Sequence, residues 1–298
     1  MADIANSIDL KLTGKDFLSQ AETLLRLTKK LLSYRQKIFS SQRGATGFEF
    51  AEYRAYSPGD DLKRLDWNVF HRLQELVVKE YIVENPRYWI FALDCSPSML
   101  FYEKFSLARK MIAFLMYIFL SLGDKAIFST WPQSKANLCY YKGRKNIYSM
   151  LQELENCKTV SSQNKNFSFQ NFFASLPKNS RSIIVSDFYD SSVTQEFFSL
   201  CHCRNMPAIS LHIMAQEEKN SVLKTGRKIL QDSESGRTLE IEITPDLLAQ
   251  YARRFQQHTL EVASLCHQYG ISHKEITNEF QFPKDILDIL RRAGLLRF

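Results

Sequence analysis

From Pro86 onward the chain alternates between short, almost wholly apolar runs and longer stretches with helical spacing. The runs "RYWIFALD", "KAIFSTW", "RSIIVSDF" and "PAISLHIM" each read as a strand buried on both faces. Helices are expected between them at 103–122, 146–155, 169–176 and 194–203, with "NLCYY" as a short extra strand and "SSQNKN" as a polar loop. Strands separated by helices imply a parallel sheet covered on both sides. The pattern differs on either side of this block. Before it, Phe17, Leu24, Leu25, Leu31, Leu32 and Ile38 mark the apolar face of a helix over 17–39. A polar break, a Pro-Gly turn flanked by extended pieces, and the strand "LVVKEYIVE" follow. After it, "KILQDSESGRTLEIEI" predicts a hairpin turning at Ser235-Gly236. A long helix over 245–269 then starts from Thr244 as N-cap and Pro245 at its first position, and "PKDILDILRRAG" gives a last short helix.

Three segments result: an N-terminal helix and turn segment over 1–85, the α/β block over 86–216, and a hairpin with helices over 217–298 that completes the same unit. With 298 residues, 45% of them hydrophobic and 22 Phe, the chain has material for a large packed core. The net charge of +7 is spread widely, and its densest part, 11–43, alternates with leucines as a solvated helix face would. The N-terminus lacks the pattern of a signal peptide, and "MIAFLMYIFLSLG" is too short to span a bilayer. A cytoplasmic protein without membrane insertion is expected. The six cysteines, without zinc-finger spacing, read as reduced thiols.

Ligands of open parallel sheets bind beyond the carboxyl ends of the strands. Two strands here end in aspartate, at Asp94 and Asp187, and the loop after the first adds Ser96 and Ser98. Short oxygen-bearing side chains suit Mg²⁺ or another divalent cation. The same pattern also caps a helix and bonds its own loop backbone. Asp94-Cys95-Ser96-Pro97-Ser98, between an expected strand and an expected helix, resembles the D-x-S-x-S motif of the von Willebrand factor A domain. The resemblance implies a doubly wound, mostly parallel, Rossmann-like sheet. It also implies a metal-ion-dependent adhesion site, with Asp94, Ser96, Ser98 and Asp187 as the metal residues and an open position for a partner's carboxylate. The threonine which that family draws from an intervening loop has no counterpart in "YYKGRKNIY", where Arg144 and Lys145 would bring positive charge; Thr130 is a weak substitute.

A second signature is "GFEFAEYRAYSPGDDLKRLDW". Pro58-Gly59 suits the centre of a type II turn, and Arg54, Asp60, Asp61, Arg64 and Asp66 offer both signs of charge for a buried paired network. With Gly47, Glu49-Phe50, Tyr56 and Trp67, and with "VVKEYIVE", "LDCSPSM", "IIVSDF" and "LQDSESGRTLEI" further on, the stretch 40–243 resembles the bacterial family called domain of unknown function 58 (DUF58). The segment 54–67 is expected to act as a structural clasp or partner-docking turn. Members of that family commonly accompany MoxR-type AAA+ ATPases. The resemblance therefore implies a non-enzymatic adaptor or co-chaperone whose partners are such an ATPase and a client protein. No G-x-S-x-G elbow, phosphate-cradling loop or metal-protease histidine pair occurs among the residues. The alternatives are a Mg²⁺-dependent phosphoester hydrolase built on Asp94 and Asp187, or a basic nucleic-acid-binding protein; no nucleic-acid recognition motif is present.

Overall fold

The structure, a computed structural model, describes residues 11–39, 49–62, 65–82, 87–131, 138–159, 169–219, 225–232, 236–279 and 281–294. The expected loop "SSQNKN", the turn residue Ser235 and Arg64 of the charged segment lie outside these residues. Contacts divide the chain into two compact units, one of residues 1–28 and 87–297 and one formed by Lys29–Pro86.

The larger unit is built on a six-stranded sheet in the order β10-β7-β6-β3-β4-β5. Its strands are β3 (Tyr88–Asp94), β4 (Lys125–Trp131), β5 (Cys139–Lys142), β6 (Ser180–Ser186), β7 (Ala208–Met214) and β10 (Ser272–Thr277). All neighbours pair in parallel except β5, which runs antiparallel to β4 at one edge. The expected α/β architecture, with its central and mostly parallel sheet, is present. The helices α3 (Lys104–Ser121), α4 (Ile147–Asn156), α5 (Phe169–Ala174), α6 (Ser191–Cys203), α8 (Pro245–Gln268) and α9 (Lys284–Arg292) surround it, and α7 (Gln216–Lys219) is a single turn.

Side-chain alternation decides which layer each strand residue enters. Trp89 and Phe91 face α3 and meet Phe119 with ring centroids 4.3 and 5.9 Å apart. Ile90, Ala92 and Ile184 face the other way, into a cluster with Phe172, Phe197 and Val262 of α5, α6 and α8. Helix α3 is buried at every position from Met111 to Leu120, which explains an apolar run too long for a one-sided amphipathic helix. Helix α1 (Lys15–Phe39) begins in this unit, where Phe17 stacks on Phe114 at 4.4 Å between centroids.

Strand β10 was not expected from the sequence. "SHKEIT" lacks an apolar run because β10 is an edge strand, and of its six residues Ile276 alone is buried. The C-terminal segment thus adds a strand to the main sheet as well as the hairpin β8 (Gly226–Gln231) and β9 (Thr238–Ile243). The predicted N-cap holds: Thr244 Oγ1 accepts from the Leu247 amide at 3.2 Å, with Pro245 at the first turn of α8.

In the smaller unit, β1 (Glu49–Ala55) pairs antiparallel with β2 (Val77–Ile82). The expected turn is there: the Asp60 amide donates to the Ser57 carbonyl at 3.1 Å around Pro58-Gly59, and Gly59 has φ +111°. Two expectations change. An extended piece was expected after the turn, but among the described residues only Leu65 makes a bridge, to Val78, and helix α2 (Trp67–Leu73) follows. Asp66 sets this helix up as its N-cap, Oδ1 accepting from the Asn68 amide at 2.9 Å while Oδ2 accepts from the Tyr53 hydroxyl at 2.9 Å. The other change concerns the Arg54–Asp60 pair, 2.8 Å apart, which is partly solvated rather than buried, with side-chain exposures of 42% and 22%. Such a pair adds at most about 1 kcal/mol. Asp60 matters more for the turn, where Oδ2 accepts from the Ser57 amide at 2.9 Å. Asp66→Ala, which removes both the cap and the tyrosine's acceptor, is expected to cost about 1–2 kcal/mol. Urea unfolding of the variant measures it, and a change under about 0.5 kcal/mol would refute the capping role.

Candidate functional site

The chain leaves β3 for β4 and β5 on one side, then crosses back to place β6, β7 and β10 on the other. The carboxyl ends of β3 and β6 therefore flank the topological switch point, where α/β sheets form their ligand crevice. Asp94 is the last residue of β3, and Ser186 is the last of β6. The register that pairs Leu93 with Val185 sets the next two residues side by side, and Ser186 Oγ donates to Asp94 Oδ2 at 2.5 Å. The other carboxylate oxygen, Oδ1, accepts from the Ser96 amide at 2.8 Å, which turns the chain as an Asx motif does. The Cys95 amide extends the ladder to the Trp131 carbonyl at 2.6 Å, and the 3-10 turn Pro97–Glu103 leads into α3. In this turn Ser96 Oγ and Ser98 Oγ lie 2.9 Å apart and partly exposed.

Asp187 follows Ser186, so alternation sends it towards α3. There Lys104, the first residue of that helix, places Nζ 2.9 Å from Asp187 Oδ2 and 2.7 Å from Glu218 Oε1. All three residues are buried, with Lys104 only 1% exposed. The ammonium also lies 5.1 Å from the Tyr189 ring centroid, and the Tyr189 ring stacks on His258 at 4.8 Å. His258 Nε2 donates to the Asp187 carbonyl at 3.0 Å and pins the loop from outside. Three non-glycine residues around the site have left-handed backbones: Tyr102 (φ +49°), Glu103 (φ +61°) and Phe188 (φ +56°). Such strain persists where the surroundings over-determine the loop.

The electrostatics follow from burial. Asp94 is pushed up to about 7, first by loss of water and second by the charge of Asp187, against the bonds from Ser186 and Ser96. Asp187 and Glu218 share the one ammonium of Lys104, and Asp94 feels the charge of Asp187, so the three carboxylates and one ammonium leave two excess negative charges when Asp94 is ionised. Beside Asp94, towards α6, lies a cavity of about 20 Å³ lined by Trp131, Ser186, Phe188, Thr194 and Phe197, with room for one water molecule.

Of the sequence-derived candidates, Asp94, Ser96, Ser98 and Asp187 come together at one end of the sheet. Arg54, Pro58, Gly59, Asp60, Asp61, Asp66 and Trp67 belong to the smaller unit, where Asp66 caps a helix and Trp67 is its exposed first residue. Among the described residues no three His, Cys, Asp or Glu side chains converge as a ready-made metal cluster. The oxygen set depends on serine hydroxyls. The loop without a threonine, in "YYKGRKNIY", lies away from the site. Lys142 pairs with Lys125 at the start of β4, so Gly143–Asn146 sits at the end of the sheet away from Asp94, and Arg144 reaches Glu22 at 2.9 Å. The chain returns to the site end after α4, where Cys157 touches Cys95 and Thr159 follows. Thr130 pairs with Leu93 and so enters the opposite layer from Asp94. Sequence reasoning missed Lys104, Glu218 and His258. Lys104 carries no local signal, since Arg109 and Lys110 lie in the same helix and its two acidic partners are 83 and 114 residues away.

Comparison with known proteins places the chain among relatives without an assigned role. It is 23% identical over 261 residues to an uncharacterized protein of Mycobacterium tuberculosis (strain H37Rv), covering 84% of this chain and 81% of the relative. An uncharacterized protein of Mycobacterium bovis matches with the same identity and coverage. Residues 52–261 match the family model described as "Protein of unknown function DUF58", a span that takes in the β1–β2 turn segment, Asp94, Ser96, Ser98, Lys104, Asp187 and Glu218. The chain belongs to the DUF58 family.

Proposed function

We propose that this protein is a non-enzymatic protein-interaction module, an adaptor or co-chaperone of a MoxR-type AAA+ ATPase, which docks through the ends of β3 and β6. The observation that carries this reading is the hydroxyl pair of Ser96 and Ser98, 2.9 Å apart beside a buried carboxylate. Adjacent ligands of an octahedral Mg²⁺, each about 2.1 Å from the ion, stand about 3.0 Å from each other. The two excess negative charges of the buried cluster match one divalent cation. Ser96, Ser98 and Asp94 would hold it, with Asp187 behind them, and the ion would supply a Lewis-acidic point for a partner's carboxylate. Lys104 holds Asp187 Oδ2 and fixes its loop, so Asp187 would serve the ion by its charge and through Oδ1. The family resemblance supports the choice of a MoxR-type partner and a client, and the sheet order with the D-x-S-x-S loop supports a von Willebrand A-like reading of the fold.

The test is a binding assay between the purified chain and a MoxR-type ATPase, made nucleotide-free so that chelation acts on this chain alone. Ser96→Ala/Ser98→Ala is expected to weaken binding at least about tenfold, and EDTA to do the same to the wild type. Binding that ignores both changes would refute the cation-mediated reading. Absence of binding by the folded wild type would refute the choice of partner.

A further inference from the structure

We infer that Cys95 and Cys157 form a redox-modification site, a dithiol that hydrogen peroxide converts to an intrachain disulfide within the loop carrying Asp94, Ser96 and Ser98. The inference rests on the two thiols and does not require the docking role or the cation. Their sulfurs lie 3.8 Å apart although 62 positions separate them in sequence. Cys95 is fully buried, and its Sγ is also 3.9 Å from the Leu93 carbonyl oxygen. Cys157, at the C-terminal end of α4, is half-buried and so is the thiol within reach of a small oxidant. Arg109 closes the other side, its Nη1 donating to the Glu155 carbonyl at 3.1 Å and the Cys157 carbonyl at 3.4 Å, which keeps a guanidinium against the Cys157 backbone. Reactive thiols occupy such partly exposed, electropositive places. The remaining cysteines are differently placed: Cys139 faces Glu153, Cys201 faces Ser182, Cys266 faces His273, and Cys203 is exposed.

The chemistry balances in two steps. The Cys157 thiolate, its proton given to solvent, attacks one peroxide oxygen; the S–O bond forms, the O–O bond breaks, and the departing hydroxide takes up a proton as water. The Cys95 sulfur, losing its proton, then attacks the sulfenic sulfur; the S–S bond forms and the hydroxyl leaves as a second water. Two thiols are oxidised by two electrons and one peroxide is reduced to two waters. The sulfurs must approach from 3.8 Å to about 2.05 Å. That contraction acts on the residue between Asp94 and Ser96, so oxidation is tied to the geometry of the candidate site.

The experiment treats the reduced full-length chain with hydrogen peroxide, alkylates in denaturant, and maps peptides without reduction by mass spectrometry. The expected product is a monomer carrying a Cys95–Cys157 cross-link that dithiothreitol reverses and Cys157→Ser abolishes. This variant changes a half-buried position by one atom and keeps the test valid if Cys95→Ser fails to fold. In the oxidised chain the amides of Ser96 and Ser98 should exchange hydrogen more slowly; unchanged exchange would overturn the link to the site. The pairing itself is overturned if Cys157 passes to sulfinic or sulfonic acid while Cys95 stays alkylatable. It is equally overturned if Cys157 joins Cys139, or if both thiols survive peroxide that oxidises exposed Cys203.

Discussion

Lys104→Met is expected to destabilise the α/β unit by about 3–5 kcal/mol, the largest loss from any single side chain of the site. Methionine fills most of the lysine's volume, so the change removes the charge and little of the packing. What remains are Asp187 and Glu218, both buried, each having lost an ammonium at 2.9 or 2.7 Å. Water is a poor replacement, since Lys104, Asp187 and Glu218 are themselves only 1%, 2% and 8% exposed. For a unit of this size the loss corresponds to a fall in Tm of about 6–20 °C. The cost lies in the carboxylates left behind, more than in the lost attraction. Lys104→Met/Asp187→Asn/Glu218→Gln should therefore recover much of the stability that Lys104→Met loses. Thermal and urea unfolding of the single and triple variants decides this. A single variant within about 0.5 kcal/mol of wild type would show that the ammonium is not what holds the two loops.

The same site shows where reading the sequence succeeds and where it stops. Continuous apolar runs fixed β3, β4, β6 and β7 to within a residue or two, because strands buried on both faces have no other way to be written. Asp94 and Asp187 were legible as strand-end oxygens for the same reason. Lys104 was not. Nothing local distinguishes a lysine that snorkels to water from one that two carboxylates, 83 and 114 residues away, draw into the core. Strand β10 escaped notice because an edge strand needs few apolar residues, and α2 because its driving force is one capping aspartate. The misplaced threonine loop has a topological cause. That β5 runs antiparallel, and so carries the following loop to the far end of the sheet, cannot be read from "NLCYY" alone.

Asp94→Asn is expected to stabilise the protein at pH 8 by about 1–3 kcal/mol in EDTA and to change it little at pH 4. The carboxyl titrates near 3.8 when unfolded and about 7 when folded, raised by burial and then by Asp187. Between these values the folded state binds more protons than the unfolded one, so this group's contribution to stability falls as pH rises. The contribution is fully present below pH 4, declines through the interval, and is gone above pH 7. A shift of about 3 pH units corresponds to about 4 kcal/mol. The asparagine removes that penalty but returns part of it. Its amide oxygen can still accept from the Ser96 amide, whereas Ser186 Oγ, already accepting from the Phe188 amide at 2.8 Å, loses the acceptor for its own proton. Subtracting the variant's unfolding curve from the wild type's, pH by pH, isolates Asp94, with its coupling to Asp187, from the more distant carboxylates. A difference that is flat between pH 4 and pH 8 would refute the assignment. A residue that destabilises its own fold at neutral pH has a reason to be there if something cationic binds it. Mg²⁺ at pH 8 should therefore raise the wild-type Tm and leave Asp94→Asn where it was.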